Sequence, residues 1–268
     1  MMDDLRATAV LTILPTRWLG QTYRFFEQIG STNDALKEAA SDPLLPAGTV
    51  FLTDYQSQGR GRLQRRWLAP PGSSLLLSLL FRPEWPPEQA QWLTMLASVA
   101  AAEAVETATS LTVGVKWPND LVVSLAGVWH KFGGLLLEGE MGENGRFASI
   151  ILGIGINVNI PVEQMPETAV PATSLLVAAG KRISRLDLLV EFLQRLEMGY
   201  EQAEQGRSPQ PAWQRRMVTI GQHVQVRNGR AGQPIQGLAE GCDEWGRLLV
   251  RDEAGDLHTI AAGDITLR

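Results

Sequence analysis

A chain of 268 residues, 44% apolar and 20% charged, is long enough to bury a sizeable core and too apolar to stay disordered. A formal net charge of −5 argues against a dedicated duplex nucleic-acid binder, and a single cysteine, Cys242, cannot close an internal disulfide. Three histidines leave few ligands for a zinc site, and the densest apolar run, Leu75 to Phe81, is far too short to span a bilayer.

The N-terminal apolar stretch from Val10 to Leu14 is broken by Pro15, so no export signal is expected, and the cysteine usage suits a reducing, cytoplasmic compartment. Ser31-Thr32-Asn33-Asp34, followed by Ala35, Leu36 and Ala39, predicts a helix start whose short oxygen-bearing side chains satisfy first-turn amides. Thr49 to Tyr55 and Ser74 to Phe81 read as strands, bounded by Pro46, Gly48, Pro70, Pro71 and Gly72. A helical pattern follows from about Glu88 to Thr107, with Trp92, Leu96, Val99 and Ala102 on one face, and Leu111 to Trp117 returns as a strand. Phe147 to Ile160 is a nearly continuous apolar run with Gly153, Gly155 and Asn157 inside it, which predicts a buried central strand. Ser184 with Asp187 opens another helix, its buried stripe running from Leu189 through Phe192, Leu193 and Leu196 to Tyr200, and Gly206, Pro209 and Pro211 end it. Beyond Trp213, short β-type segments at His223–Arg227, Ile235–Ala239, Leu248–Val250 and Leu257–Ile260 alternate with turns such as Gly232-Gln233-Pro234, predicting a small barrel-like module.

Three stretches carry chemistry. From Gln56 to Trp67 the chain reads Gln-Ser-Gln-Gly-Arg-Gly-Arg-Leu-Gln-Arg-Arg-Trp, four arginines threaded through glycines against an acidic background. Guanidinium forks pair with carboxylate or phosphate, and glycine lets backbone approach a ligand closely. Three readings stay open for this loop alone: a solvated basic loop, a single-strand nucleic-acid contact with Trp67 stacking, and an anion cradle. Lys116-Trp117-Pro118-Asn119-Asp120 closes a strand with a lysine, a ring, a rigid turn and two polar side chains, and in isolation would serve as an Asx-type turn. Lys131-Phe132-Gly133-Gly134 then leads into Leu135–Leu137, suggesting a cation pointed into a cavity with an unobstructed approach.

Ser-Thr-Asn-Asp, Gln-Ser-Gln-Gly-Arg-Gly-Arg, Lys-Trp-Pro-Asn-Asp, Lys-Phe-Gly-Gly and Gly-Ile-Gly-Ile-Asn occur in the order and approximate spacing of the biotin protein ligases, which the chain resembles from about Phe25 to its closing Gly-Asp-Ile-Thr-Leu-Arg. The resemblance implies an α+β fold. Residues 1–215 would form a mixed β-sheet catalytic domain of the class II synthetase and biotin/lipoate ligase type, and residues 216–268 an SH3-like small β-barrel. It also implies two reactions: biotin and ATP, with Mg²⁺, give biotinyl-5′-AMP and pyrophosphate, and a lysine of the biotin carboxyl carrier protein of acetyl-CoA carboxylase then takes the biotinyl group.

By match to the family motifs, Ser31, Thr32, Asn33 and Gln56 would bind the ureido ring of biotin. Gly61, Gly133 and Gly134 would line its slot, and Arg60 would reach across it toward the phosphate. Arg62 would contact both ligands and Arg65 would hold phosphate, with Trp67 on the adenine side. Asn119, Asp120 and Asn157 would position nucleotide or metal, and Lys116 would bind the nucleotide. Lys131 would touch both the biotin carboxylate and the α-phosphate, and Asp120 would accept the proton of the acceptor lysine. The metal ligands are left unassigned. An ionised carboxylate needs no histidine base to attack the α-phosphate; it needs fixed cations, which Arg60, Arg62, Arg65 and Lys131 supply.

Two departures stand out. Leu63-Gln64 replaces a glycine-bearing continuation of the arginine loop, and Ser124–His130 reads as a longer hairpin tip. Family members that repress transcription carry a winged helix before the Ser-Thr-Asn segment; the thirty residues preceding Ser31 here are too few for one, so a ligase without repressor function or DNA-binding domain is expected. A homodimer is compatible with the resemblance. Lipoate–protein ligase and a non-catalytic nucleic-acid module are the alternatives, separable by calorimetry with each acid and by salt dependence.

Overall fold

The structure, a computed structural model, describes residues 4–143, 145–166, 171–227 and 234–267. Residues 232–233 of the expected Gly232-Gln233-Pro234 turn and the closing Arg268 lie outside these.

The chain opens with α1 (Ala7–Ile13) and β1 (Tyr23–Phe26), neither legible in the sequence: α1 has no capping side chain, and β1 is four residues long. Helix α2 (Thr32–Ala39) starts where the sequence predicts, with Ser31 Oγ accepting from the Asp34 N–H at 3.4 Å. Strands β2 (Val50–Thr53) and β3 (Ser74–Phe81) flank the arginine loop, and β3 is buried along its whole length. Helix α3 (Gln91–Thr109) begins after a 3-10 turn at Pro87–Ala90. It is followed by β4 (Val113–Lys116), β5 (Asp120–Leu125), β6 (Val128–Met141) and β7 (Phe147–Asn157). The Ser124–His130 extension forms the end of the β5–β6 hairpin, as expected: Ser124 pairs with Trp129 and Val123 with His130, leaving only Ala126-Gly127 to turn. Both turn residues have positive φ, 49° and 82°, the geometry of a two-residue hairpin matched to strand twist.

These strands form one mixed sheet ordered β1-β2-β3-β7-β6-β5-β4, in which only β1 and β2 run parallel. Period-two alternation divides its faces. Leu75, Leu77, Leu79 and Phe81 with Leu152, Ile154 and Ile156 join the large core under α3 and α5 (Arg185–Glu204), whereas Leu80, Phe51 and Ile151 pack on Leu36 of α2 in a second, smaller cluster. The stretch of the second face beyond α2 holds the candidate site.

Helix α3 corrects one expectation. Rather than burying one stripe, it is buried almost all round, with Val99 only half-buried, because the sheet lies on one side and α5 and α6 (Gln210–Gln214) on the other. Helix α5 opens as expected, Ser184 Oγ accepting from the Asp187 N–H at 3.1 Å. Pro209 and Pro211 do end α5's path, but they also start α6, since proline suits the first turn of a helix. The short helix α4 (Leu175–Ala179) lies between β7 and α5.

The C-terminal segment is a five-stranded antiparallel sheet of β8 (His223–Arg227), β9 (Ile235–Cys242), β10 (Leu248–Arg251), β11 (Leu257–Ile260) and β12 (Asp264–Leu267), ordered β11-β10-β9-β8-β12. A bulge at Leu249/Val250 bends it in the manner of small barrels. Among the described residues no helix is long and apolar enough to cross a membrane.

Candidate active site

The site is built on three neighbouring strands. Ser78 of β3 pairs with Gly153 of β7, and Leu76 with Gly155; Gly155 in turn pairs with Gly134 of β6, and Leu136 and Glu138 continue the same face of β6. The missing side chains at Gly153 and Gly155 carve a floor. A Cβ at Gly155 would lie 2.7 Å from the Trp67 ring, and one at Gly153 would collide with the Asn33 amide, so both positions demand glycine for close approach rather than for a turn.

At one end the floor meets the first turn of α2 in a buried polar network. The Thr32 N–H and hydroxyl donate to Gln56 Oε1 at 2.8 and 3.2 Å. The Ser78 hydroxyl reaches Thr32 Oγ1 at 2.7 Å and Asn33 Oδ1 at 2.6 Å, while Asn33 Nδ2 donates to Glu138 Oε2 at 2.7 Å. Ser31, Thr32, Asn33 and Ser78 are all at most 5% exposed. Buried polar groups held this way are fully oriented before any ligand arrives.

At the other end lie the cations. Lys131 Nζ stands 2.6 Å from Asp120 Oδ1 and 5.6 Å from the centre of the Trp67 ring. Arg62 donates from Nη1 to Asn119 Oδ1 at 3.1 Å and from Nη2 to the Gly263 carbonyl at 3.3 Å, while Asn119 Nδ2 donates to the Leu135 carbonyl. Asn157 Nδ2 donates to the Thr173 carbonyl at 3.2 Å. Among the described residues Asn157 Oδ1 and Trp67 Nε1 are buried without a hydrogen-bond partner. Lys116 ends β4 directly across the ladder from Asp120.

The arginine loop folds over this floor as a hairpin flap, with the Trp67 N–H donating to the Gly59 carbonyl at 2.9 Å and the Gly61 N–H to the Arg65 carbonyl at 2.7 Å. Its tip carries Leu63 at φ 54°, a left-handed conformation that costs a branched residue about 1 kcal/mol. A cleft of about 440 Å³ opens between the flap and Leu136 and Glu138.

The structure changes two placements. Arg60 does not extend toward Lys131: its Nη2 lies 2.5 Å from Asp34 Oδ1 and 2.9 Å from Glu138 Oε2, at the α2 end. Glu138 is four residues along β6 from Gly134, beside which Lys131 sits, or about 13 Å at strand rise. Two carboxylates hold the guanidinium there, while Lys131 and Arg62 at the far end would repel it. Arg62 of the flap does reach toward the lysine end, bonding to Asn119. Gly133 also differs from Gly134, since a side chain on it would point at Leu121 on the core face; only its backbone can border the slot. Trp67 covers Gly155 and Gly134 directly, and Arg65 and Gly61 lie along the flap.

Ser78, Asp34 and Glu138 border the candidate site and are not among the site residues that the sequence suggests. A signal for two of them existed. Ser74 and Ser78 share one face of an otherwise apolar strand, and Glu138 follows Gly134 at even spacing after three leucines. Pairing of Arg60 with two carboxylates removes much of the basis for a nucleic-acid flap. Cysteine chemistry has no seat here either, because burial pushes the Cys242 thiol up to about 12, with Asp243 adding to the shift.

Comparison with known proteins agrees with this geometry. A family described as the biotin/lipoate A/B protein ligase family matches residues 25–157, and the biotin protein ligase C-terminal domain matches residues 219–268. The "Bifunctional ligase/repressor BirA" of Bacillus spizizenii is 33% identical over 95% of this chain and 76% of its own length. The "Biotin--[acetyl-CoA-carboxylase] ligase" of Mycobacterium tuberculosis is 34% identical over 89% of this chain and 86% of its own length. The structure of the biotin protein ligase from Aquifex aeolicus in complex with biotin and ATP superposes with a TM-score of 0.74 at 28% identity, covering 92% of this chain and 99% of that one.

Proposed function

The chain belongs to the biotin protein ligase family, and from that premise we propose that its glycine-floored slot is where biotin is activated with MgATP to biotinyl-5′-AMP before transfer to a carrier-protein lysine. One observation carries the assignment of ends: a buried hydrogen-bond network of Thr32, Asn33 and Ser78 lies at the α2 end, where Arg60 is already held by Asp34 and Glu138, and the Lys131–Asp120 pair lies at the other, under a single flap. A ureido ring, rich in donors and acceptors but uncharged, suits the first end. A carboxylate meeting a phosphate suits the second.

In the first step a carboxylate oxygen of biotin attacks the α-phosphorus; the new O–P bond forms as the bond to the β-phosphate bridging oxygen breaks, and pyrophosphate leaves with the electron pair. Lys131 offsets the charge that gathers between carboxylate and α-phosphate, and Arg62 approaches from the flap. Asp120 keeps the Lys131 ammonium pinned in place until the anions arrive. Asp120 and the Asn157 Oδ1, which has no hydrogen-bond partner here, are hard oxygen donors that would hold a magnesium ion bound with the nucleotide, which would offset phosphate charge. In the second step the carrier lysine, once deprotonated, attacks the acyl carbon and AMP departs, with Asp120 placed to take the proton.

The acceptor is the biotin carboxyl carrier protein of acetyl-CoA carboxylase. Incubating this protein with biotin, MgATP and that carrier should give a singly biotinylated carrier by mass spectrometry. An unmodified carrier, with lipoate attached instead when lipoic acid is supplied, would transfer the assignment to the lipoate ligases.

A further inference from the structure

The C-terminal module touches the candidate site from two directions. Trp117, the residue after Lys116, is 2% exposed; its indole Nε1 donates to the Gly246 carbonyl at 2.9 Å, and its backbone N–H donates to Thr219 Oγ1 at 3.0 Å. Thr219 is itself fully buried. A third bond, from Trp92 Nε1 of α3 to the Glu244 carbonyl at 3.3 Å, holds the same turn of the module. Two residues beyond Trp117, Asn119 accepts from Arg62, and the other Arg62 nitrogen donates to Gly263, immediately before β12. The contacts therefore close a ring: module to Trp117, along the turn to Asn119, across to the flap at Arg62, and back to the module.

We propose that the C-terminal module is a clasp on the adenylation site, with Trp117, Thr219 and the Gly263 carbonyl as positioning groups that keep the arginine flap shut over the acyl-adenylate. The inference rests on the activity proposed above and adds to it a role for the module. An activated acyl-phosphate must survive until the carrier lysine arrives, so its lifetime on the protein depends on how often the flap opens. Arg62 is bound at once to the turn that borders Lys131 and to the module, so opening the flap breaks a bond to each. Biotin alone relies on the α2 end, which the module does not touch through these bonds.

The test uses the full chain. Trp117→Phe keeps an aromatic side chain, though a smaller one, and removes the Nε1–H donor; Thr219→Val keeps the shape and removes the acceptor. Each should speed release of preformed biotinyl-5′-AMP, chased with excess unlabelled biotin, by about tenfold, the effect of one buried hydrogen bond. Biotin affinity by calorimetry should stay within about twofold, a split that general loss of folding would not produce. In an Arg62→Lys background the same Trp117→Phe change should add less than about threefold, because residues acting through one contact are not additive. Unchanged release in both folded variants overturns the proposal, as does equal loss of biotin and adenylate binding, or full additivity with Arg62→Lys. A wild-type chain that forms no adenylate overturns the underlying activity, and the clasp with it; that result is seen before any variant is made.

Discussion

The two ends of the slot hold their polar groups in opposite ways. At the α2 end Thr32, Asn33 and Ser78 are buried and bonded to one another, so their orientation is part of the folded state. At the lysine end Lys131 and Asp120 are 27% and 23% exposed and paired with each other. A buried network is costly to leave unmatched and so discriminates among ligands; a partly exposed ion pair is cheaper to exchange and so suits groups whose partners change along a reaction. Recognition and chemistry are thereby given to different physical environments within one cleft.

Removing Lys131 tests the chemical end most severely. Lys131→Ala should slow pyrophosphate release by about a hundredfold or more, the usual loss for one oriented charge at a reacting centre, while biotin binding changes only a few-fold. A wild-type rate in the folded variant would end the assignment. Ser78→Ala probes the recognition end: it strands buried partners on Thr32 and Asn33, and biotin affinity should fall about tenfold, as leaving such groups unsatisfied costs about 1–3 kcal/mol. That loss should be the same at low and high salt. Glu138→Gln, which removes one counter-charge of Arg60, should alter biotin affinity by no more than about threefold, and the change should shrink as salt rises because Arg60 is 39% exposed. If Ser78→Ala proves salt-sensitive and Glu138→Gln does not, the contrast between a buried hydrogen-bond network and a partly exposed ion pair is drawn wrongly. The smallest effect belongs to the flap tip. Leu63→Gly relieves the left-handed backbone and should raise the melting temperature by up to about 3 °C, part of the gain being lost to the greater freedom of glycine in the unfolded chain. A lowered melting point would mean that Leu63, at 57% exposure, makes a contact worth more than its strain.

Legibility followed the range of the interaction. Ser31 and Ser184 announced α2 and α5 because a cap bonds to an amide three residues away, and β3 was legible from its apolar run and flanking prolines and glycines. Helix α1 and strand β1 were not, since they are held by distant partners: Tyr23 donates through its hydroxyl to the Leu5 carbonyl, and β1 exists by pairing with β2. The all-round burial of α3 was hidden for the same reason, as nothing in its own sequence tells that α5 and α6 cover its outer side. Within the site, the motifs marked Lys131, Asp120, Asn119 and the flap arginines as candidates. They did not reveal that Arg60 would be drawn to Asp34 and Glu138, or that Arg62 would bridge to Gly263.

Local pattern alone determined the helix caps, the strand periodicity, the glycines that leave a floor open and the cationic character of the loop above it, because each depends on neighbours a few residues apart. Which arginine faces which end of the slot was decided only in three dimensions. Charges respond to every other charge within about 10 Å, and the carboxylates that hold Arg60 come from α2 and the far end of β6, while Arg62 bonds to Asn119 and to the Gly263 carbonyl. Those elements meet only once the sheet has assembled.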